Sequence, residues 1–358
     1  MEKTHKESVN MDLSIIIPVF NGAGCVSGIV ENIQSYNSGL FSYEVLLIDD
    51  GSTDETSAVC SALVSKYNCV HYLRKENGGI ASARNYGLSV SEGDYITFAD
   101  QDDMILSGYD RFLKVCVEEQ LDMIITAPYN RRDGLEVLKQ RQFNDEIITD
   151  SAIIKKMAGK LIDGKYLSDD SVQSVSASVW NVIYRKSLLD KNGLCFKSFI
   201  DYEDDWIFNI EALTAAGKIA VTSDGYYCWN IHAGSESHRW KYIPDLLNKR
   251  KLWMKWLSGI LESMDIDIVK QSRFVERVLI PRNIMICFNN ACWRPSIEKH
   301  AIMREIRDAC DAWHINKVNY AEVDGMDRRN KFLLWMLIHN RINEAYMINR
   351  NILKTRFH

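Results

Sequence analysis

The 358-residue chain reads as an α/β protein built on a mostly parallel sheet flanked by helices, with a helical region appended at its C-terminal end. Three observations lead there. Short apolar runs rich in β-branched residues recur at 13–20, 44–48, 69–74 and 94–100, helix-spaced apolar patterns lie between them, and turn or acidic signals close each run. Strands alternating with helices at these lengths require crossover connections, and hence parallel pairing.

LSIIIPVF is the first strand, closed by Asn21-Gly22. Val26, Ile29, Val30 and Ile33 then recur at three- and four-residue spacing, which gives a helix that stops at Asn37-Ser38-Gly39. EVLLI is the second strand. In the following DDGSTDE, Ser52 and Glu55 match an S-x-x-E capping box, so a helix is expected over about 54–67. CVHYLR is the third strand, NGG turns the chain into the helical IASARNYGLSV, and Glu92-Gly93 releases it into the strand DYITFAD. A helix over 109–119 and a strand LDMIITAP come next, and the polar stretch 129–150 reads as a mobile loop. WIFNIEAL has helical spacing. From Lys241 onward helical spacing dominates, with Trp253, Trp256, Leu257, Ile260 and Leu261 on one stripe. The expected organisation is a tail over 1–11, a domain over 12–240 whose halves divide near residue 105, and a helical basic region over 241–358.

Hydrophobic content of 46% with 25% charged residues excludes a disordered chain. No apolar run reaches the roughly 20 residues that span a bilayer, and the N-terminus lacks a signal-peptide pattern, so a cytoplasmic protein is expected. Nine cysteines without a CxxC pair are expected to be reduced and mostly buried. Residues 241–358 hold 21 Lys and Arg against 13 Asp and Glu, a charge of +8; with −5 overall, residues 1–240 carry −13. No nucleic-acid partner is expected.

FADQDD, at 98–103, crowds Asp100, Asp102 and Asp103 at the end of a strand, an arrangement that repels itself unless a cation or hydrogen-bond donors neutralise it. If the segment is extended, Asp100 and Asp102 share one face and Asp103 takes the other. Hard carboxylate oxygens suit Mg2+ or Mn2+, which bridge substrate phosphates readily; the alternative is an acidic turn that caps the next helix. Asp49 and Asp50 close the second strand, where a carboxylate can accept from a nucleobase N–H or a ribose hydroxyl. Because open parallel sheets bind ligands at the carboxyl ends of their strands, PVFN, DDGS and ADQDD are expected to share a pocket. The absence of a G-x-G-x-x-G argues against a dinucleotide dehydrogenase. Lys75 and Arg84 are the nearest cations; an arginine fork suits a diphosphate, whereas Lys75 is expected on a solvated face. Asp201-Tyr202-Glu203-Asp204-Asp205 opens the WIFNIEAL helix, either as a cap or as a general base. His232, Ser235, His238 and Arg239 gather in a further polar loop.

Taken together, SIIIPVFNG, EVLLIDDGSTDET, ENGGIASARNYGL, GDYITFADQDD, the WNxIYRKSLL stretch from Trp180, and YEDDWIFN resemble the family-2 inverting glycosyltransferases of bacterial surface-polysaccharide synthesis, in family order over about 12–240. The resemblance implies a GT-A-like, Rossmann-like fold and a hexosyl- or N-acetylhexosaminyl-transferase that uses a nucleotide-sugar donor, by family habit a UDP-sugar. It places the nucleotide at Pro18, Phe20 (a tyrosine in many members) and Asp50, with Arg84 on the diphosphate. Asp100 is placed on the ribose side, and a Mn2+ or Mg2+ ion at Asp102 with His232 nearby. Asp204 is implied as the base that deprotonates a saccharide acceptor, with Asp205 and Glu203 as alternatives and Trp180 and Arg239 as further acceptor-side candidates. The basic helical third suits an anionic membrane surface, in which case the acceptor is lipid-linked; the alternative is a core-packed helix with a solvated outer face. Rival functions are a sugar nucleotidyltransferase, which lacks its Gly-rich basic loop here, and a sugar-nucleotide-binding module without turnover.

Overall fold

The computed structural model describes residues 11–132, 137–139, 143–197, 204–231, 242–264, 267–294 and 298–356. Strand β1 (Leu13–Val19) is buried at all seven positions, as expected of a strand covered on both faces. It pairs in parallel with β2 (Tyr43–Asp49), Ile16 opposite Leu46, and with β4 (Tyr95–Phe98), Ile16 opposite Phe98. Beyond β2 lies β3 (Val70–Arg74), also parallel. The crossovers are α1 (Val26–Ser35), α2 (Thr56–Lys66) and α3 (Ile80–Val90).

The chain then continues through the helix expected over 109–119, the strand expected in LDMIITAP and the helix of WIFNIEAL, together with short strands and helices that local pattern did not reveal. After β5 (Met104–Ile105) and α4 (Asp110–Glu118) come β6 (Met123–Ile125), β7 (Tyr129–Arg132), β8 (Leu138–Lys139), β9 (Glu146–Ile148) and α5 (Ser151–Asp163). β10 (Val182–Arg185) runs antiparallel between β4 and β6, followed by α6 (Lys186–Asn192) and α7 (Asp204–Ala215). With β11 (Ile219–Val221) and β12 (Tyr227–Ile231), the eight-stranded order is β3-β2-β1-β4-β10-β6-β11-β9, and a second sheet runs β5-β12-β7-β8. The mobile loop expected over 129–150 is thus corrected: β7, β8 and β9 lie in it, β8 pairing with its neighbour β7 while β7 and β9 pair with the distant β12 and β11.

The capping box at Ser52 and Glu55 is also corrected. Asp54 accepts from the Thr56 N–H at 3.1 Å, α2 begins at Thr56, and the Ser52 hydroxyl instead accepts from the Asn21 N–H at 2.9 Å. An oxygen facing another loop cannot serve the N–H groups of its own helix. All nine cysteines are free, six of them buried.

The chain divides into two compact units, one comprising Met1–Gly164 and Ser168–Ser235, the other Lys165–Leu167 and Glu236–His358. The second is helical: α8 (Leu246–Ser263), α9 (Ile268–Phe274) running through a π turn into α10 (Ile280–Trp293), α11 (Lys299–Ala312), α12 (Arg328–Ile338) and α13 (Ile342–Arg356). Trp253, Leu257 and Leu261 form the buried stripe of α8, while Phe288, Ile306, Leu333 and Leu337 belong to the common core. No helix among the described residues is long and apolar enough to cross a membrane.

Candidate functional site

The carboxyl ends of β1, β2 and β4 carry the loops that the sequence singles out, and side chains from each loop fasten the others. After β1, four successive amides are taken: Phe20 N–H by Gln101 Oε1 at 3.0 Å, Asn21 N–H by Ser52 Oγ at 2.9 Å, Gly22 N–H by Thr56 Oγ1 at 2.8 Å and Ala23 N–H by Asp54 Oδ2 at 3.3 Å. None of these donors is left for a phosphate. After β2, the buried Asp50 carboxylate accepts from Gly78 N–H at 3.0 Å, Gly79 N–H at 2.7 Å and Lys75 Nζ at 2.6 Å. The positive end of α3 is therefore satisfied by the chain's own anion. Lys75, expected on a solvated face, is corrected to a half-buried partner of Asp50, because it neutralises that anion. Asp49 is wholly buried; burial works against its charge, but hydrogen bonds from Ser52 and Tyr72 and the nearby Arg74 hold its carboxyl below the usual range.

FADQDD is a turn, not an extended segment: Asp103 N–H donates to Asp100 O at 3.2 Å, so strand alternation does not assign its faces. Asp103 turns inward, its carboxylate accepting from Tyr227 Oη at 2.7 Å and Asn230 N–H at 2.8 Å. Burial and the neighbouring Asp100 charge raise its carboxyl well above the usual value. The same Tyr227 Oη accepts from Asp100 N–H at 2.7 Å, so β12 fixes both ends of the turn. The Asp102 side chain is half-buried. Its charge reaches Cys25, whose thiol burial, Asp102 and Asp54 together push up to about 11.

Arg84, on α3, is the centre of the site. Its guanidinium is only 2% exposed; Nη1 donates to Asp204 Oδ2 at 3.0 Å and to Asp205, and Nη2 to Asp100 Oδ1 at 3.2 Å. Asp100 and the acidic start of α7, 104 residues apart in sequence, thus share one cation. Phe196, whose ring centre is 5.2 Å from the guanidinium carbon, stacks on Phe208 of α7. Asn85 clamps the Phe196 peptide from both sides at 2.8 Å. Asn209 accepts from Tyr184 Oη at 2.7 Å, pinning α7 to β10. Three carboxylates around one guanidinium leave an excess of negative charge. Burial raises the Asp205 carboxyl to about 7, Asp204 and Asp100 adding to the rise and Arg84 opposing it. Asp100 is raised for the same chief reason.

The structure therefore brings together Phe20, Asp50, Arg84, Asp100, Asp102, Asp204 and Asp205 at one edge of the sheet, with Pro18 buried within β1. Trp180 is 6% exposed and stacked at 4.7 Å on Tyr227, the residue that holds the acidic turn. Glu203, His232, Ser235, His238 and Arg239 lie outside the described residues. Gln101, Asn85 and Tyr227 were missed because their partners are backbone groups or residues far along the chain.

This fold and this acidic site define a family of sugar-transferring enzymes: the chain belongs to glycosyl transferase family 2, whose family model matches residues 14–187. GlyG, a glycosyltransferase of Streptococcus pneumoniae serotype 4, is 37% identical over 231 residues, covering 62% of this chain and 72% of GlyG. The minor teichoic acid biosynthesis protein GgaB of Bacillus subtilis is 34% identical over 125 residues, 34% of this chain and 14% of GgaB. The chain also spans about a third (34%) of the length of the S. pneumoniae glycosyltransferase GlyA, so several curated relatives extend well beyond it. The crystal structure of S. aureus TarS 1–349 in complex with UDP-GlcNAc superposes with a TM-score of 0.63 at 19% identity over 96% of this chain and 92% of that one, which shows a shared GT-A-like fold.

Proposed function

We propose that the chain transfers a sugar from a UDP-sugar to a hydroxyl of a saccharide acceptor, with inversion at the anomeric carbon and help from Mn2+ or Mg2+, in the making of a bacterial surface polysaccharide. The observation that carries this reading is the Arg84 bridge, which sets the donor-side Asp100 beside the acceptor-side Asp204 and Asp205.

The donor site follows from what the loops still offer. Phe20, 46% exposed, presents a ring for the base, and Pro18 and Asp50 form the strand ends beneath it. The amides of 20–23 and the N-terminus of α3 are already occupied, so the diphosphate has to be neutralised by another group. A hard divalent cation fits the donor chemistry of Asp102, with phosphate oxygens completing its shell, as is usual for Mg2+. Bound there, it would supply Lewis-acid stabilisation of the departing diphosphate.

The acceptor base is better served by Asp205 than by Asp204. Its side chain is 27% exposed against 12%, and a carboxyl near 7 is matched to taking a proton at neutral pH. Arg84 keeps it close to that value and holds it against Asp100. A single displacement needs no covalent sugar intermediate, and the donor and acceptor carboxylates stand on elements that pack together.

The +8 charge of residues 241–358 supports an anionic acceptor or an anionic lipid surface that carries it. Leu333, Leu334, Met336 and Leu337 are spent on a helical core, so any lipid contact rests on charge more than on an apolar face. Several relatives, among them a poly(ribitol-phosphate) β-glucosyltransferase of Bacillus spizizenii, are named for anionic polymers, which favours an acceptor of that kind.

The test is release of nucleoside diphosphate from a panel of sugar nucleotides with Mn2+, Mg2+ or EDTA, alongside direct binding. Turnover of one donor, lost with EDTA and with Asp102→Ala, supports the reading; a chain that binds no sugar nucleotide in the presence of Mn2+ refutes it.

A further inference from the structure

Gln101, within the acidic turn, has no part in the chemistry above, yet its side chain hydrogen-bonds that turn to the loop after β1. Phe20 N–H donates to its Oε1 at 3.0 Å and its Nε2 donates to Phe20 O at 3.1 Å, a two-point pair between groups 81 residues apart. A side-chain amide carries the donor and acceptor needed to copy a strand rung in this way. Gly22 admits the contact, because a Cβ there would stand 2.2 Å from Oε1. The next three amides, Asn21 to Ala23, are held by Ser52 and Asp54 from the loop after β2 and by Thr56 at the start of α2. Of these four amides, that of Phe20 is the one held by the acidic turn. The turn itself is anchored from behind by Tyr227, so Gln101 extends that anchorage forward to the exposed aromatic ring.

We propose that Gln101 is a positioning residue that sets the Phe20 ring and the Asp102 carboxylate at a fixed separation, so that the base and the cation-bound diphosphate of one nucleotide are received together. This rests on the donor-site reading above. A ligand that touches both loops gains from their being set in advance, because otherwise it must order them on binding. A ligand that touches only the base platform gains little. Gln101 therefore governs the affinity of UDP with Mn2+ and leaves that of uridine nearly unchanged.

The experiment is calorimetric binding of uridine, and of UDP with and without Mn2+, to the full chain and to Gln101→Met and Gln101→Glu. Hydrogen exchange over residues 19–23 is read in parallel. The methionine removes both hydrogen bonds at similar volume; the glutamate keeps an acceptor for Phe20 N–H and sets a charge against Phe20 O. The expected result is faster exchange at 19–23 in Gln101→Met, about tenfold weaker binding of UDP with Mn2+, and uridine affinity within about twofold, with Gln101→Glu weakened in the same direction. Unchanged UDP affinity despite faster exchange overturns the proposal and leaves Gln101 a structural clamp. Equal losses for uridine and UDP also overturn it, since the effect would then be on the platform alone. A wild-type chain that binds no UDP with Mn2+ overturns the donor-site reading and this proposal with it, whereas wild-type binding left intact in Gln101→Met removes this proposal alone.

Discussion

Arg84 Nη1 lies 3.0 Å from the Asp204 carboxylate while Nη2 lies 3.2 Å from that of Asp100, so one buried guanidinium joins the turn after β4 to the first turn of α7. Arg84→Met would leave three neighbouring carboxylates without their counter-charge, a loss of about 3–5 kcal/mol when such a group is buried. The loss depends on pH. Without Arg84 the Asp205 and Asp100 carboxyls titrate still higher in the folded state than in the unfolded chain, so their contribution to stability falls as pH rises through that range. Denaturant unfolding of Arg84→Met should therefore show a small deficit at pH 5 and the full deficit at pH 8. Equal deficits at both would mean that the contact is not an ionic one.

Asp205 makes a second, opposite prediction for function. A base has to be unprotonated, and the Asp205 carboxyl stands at about 7, so kcat/KM for the donor–acceptor reaction should rise tenfold per pH unit below that value and level off above it. Asp205→Asn should lower kcat by on the order of 10²–10⁴ and abolish this limb. Asp204→Asn should retain the limb. The reverse pattern would return the base to Asp204. Because a raised carboxyl costs stability above its folded pKa, Asp205→Asn should also unfold at higher denaturant at pH 8 than the wild type, by on the order of 1 kcal/mol.

Removal of the cation is the third. EDTA should lower turnover by at least about a hundredfold, with restoration by Mn2+ or Mg2+. Asp102→Ala should show the same low rate with or without metal, and its melting temperature should stay close to wild type, since the Asp102 side chain is half-buried and the turn is fixed by Asp103. A fully active Asp102→Ala chain would remove the cation from the reading.

Asp50 separates a structural role from a nucleotide contact. Its carboxylate already accepts from Lys75, Gly78 and Gly79. Asp50→Ala removes the acceptor of a half-buried ammonium and of two loop amides that water can reach, so a loss of about 1–2 kcal/mol is expected. Asp50→Asn, which keeps an acceptor but not the charge, should fall between. If neither changes stability while both weaken UDP binding, the carboxylate serves the base and not the loop.

Much of this was legible in the chain. β1, β2, β3 and β4 and their crossover helices are local events: apolar runs and helical spacing fix them, and the residues that close each strand came with them. Asp103 shows where legibility ends. Its place in FADQDD says only that it is acidic; that it faces Tyr227 depends on β12, 124 residues later, and on β5 pairing with that strand. β10 was hidden for the same reason, since a four-residue antiparallel strand has no period of its own to display. Arg84 was seen as a cation, but its three carboxylate partners are supplied by the topology. The Ser52 capping box failed because a matching pattern met a stronger partner across the loop.

Tyr227 offers the last prediction, because one hydroxyl serves two buried groups. It donates to Asp103 Oδ2 and accepts from Asp100 N–H, each at 2.7 Å. Tyr227→Phe keeps the ring stacked on Trp180 but removes the acceptor of the Asp100 amide and the donor to Asp103 Oδ2, while Asn230 N–H still serves Oδ1, which costs about 2–3 kcal/mol in total. The carboxylate can lessen its share by protonation, for burial already raises the Asp103 carboxyl. The deficit of Tyr227→Phe should accordingly shrink in Tyr227→Phe/Asp103→Asn, where the charge that needs the hydroxyl is gone. A double-mutant cycle by denaturant unfolding measures this directly. Coupling below about 0.5 kcal/mol would mean that the two side chains act independently, whereas strong coupling together with a raised donor KM and an unchanged kcat would show that β12 holds the acidic turn in its binding geometry.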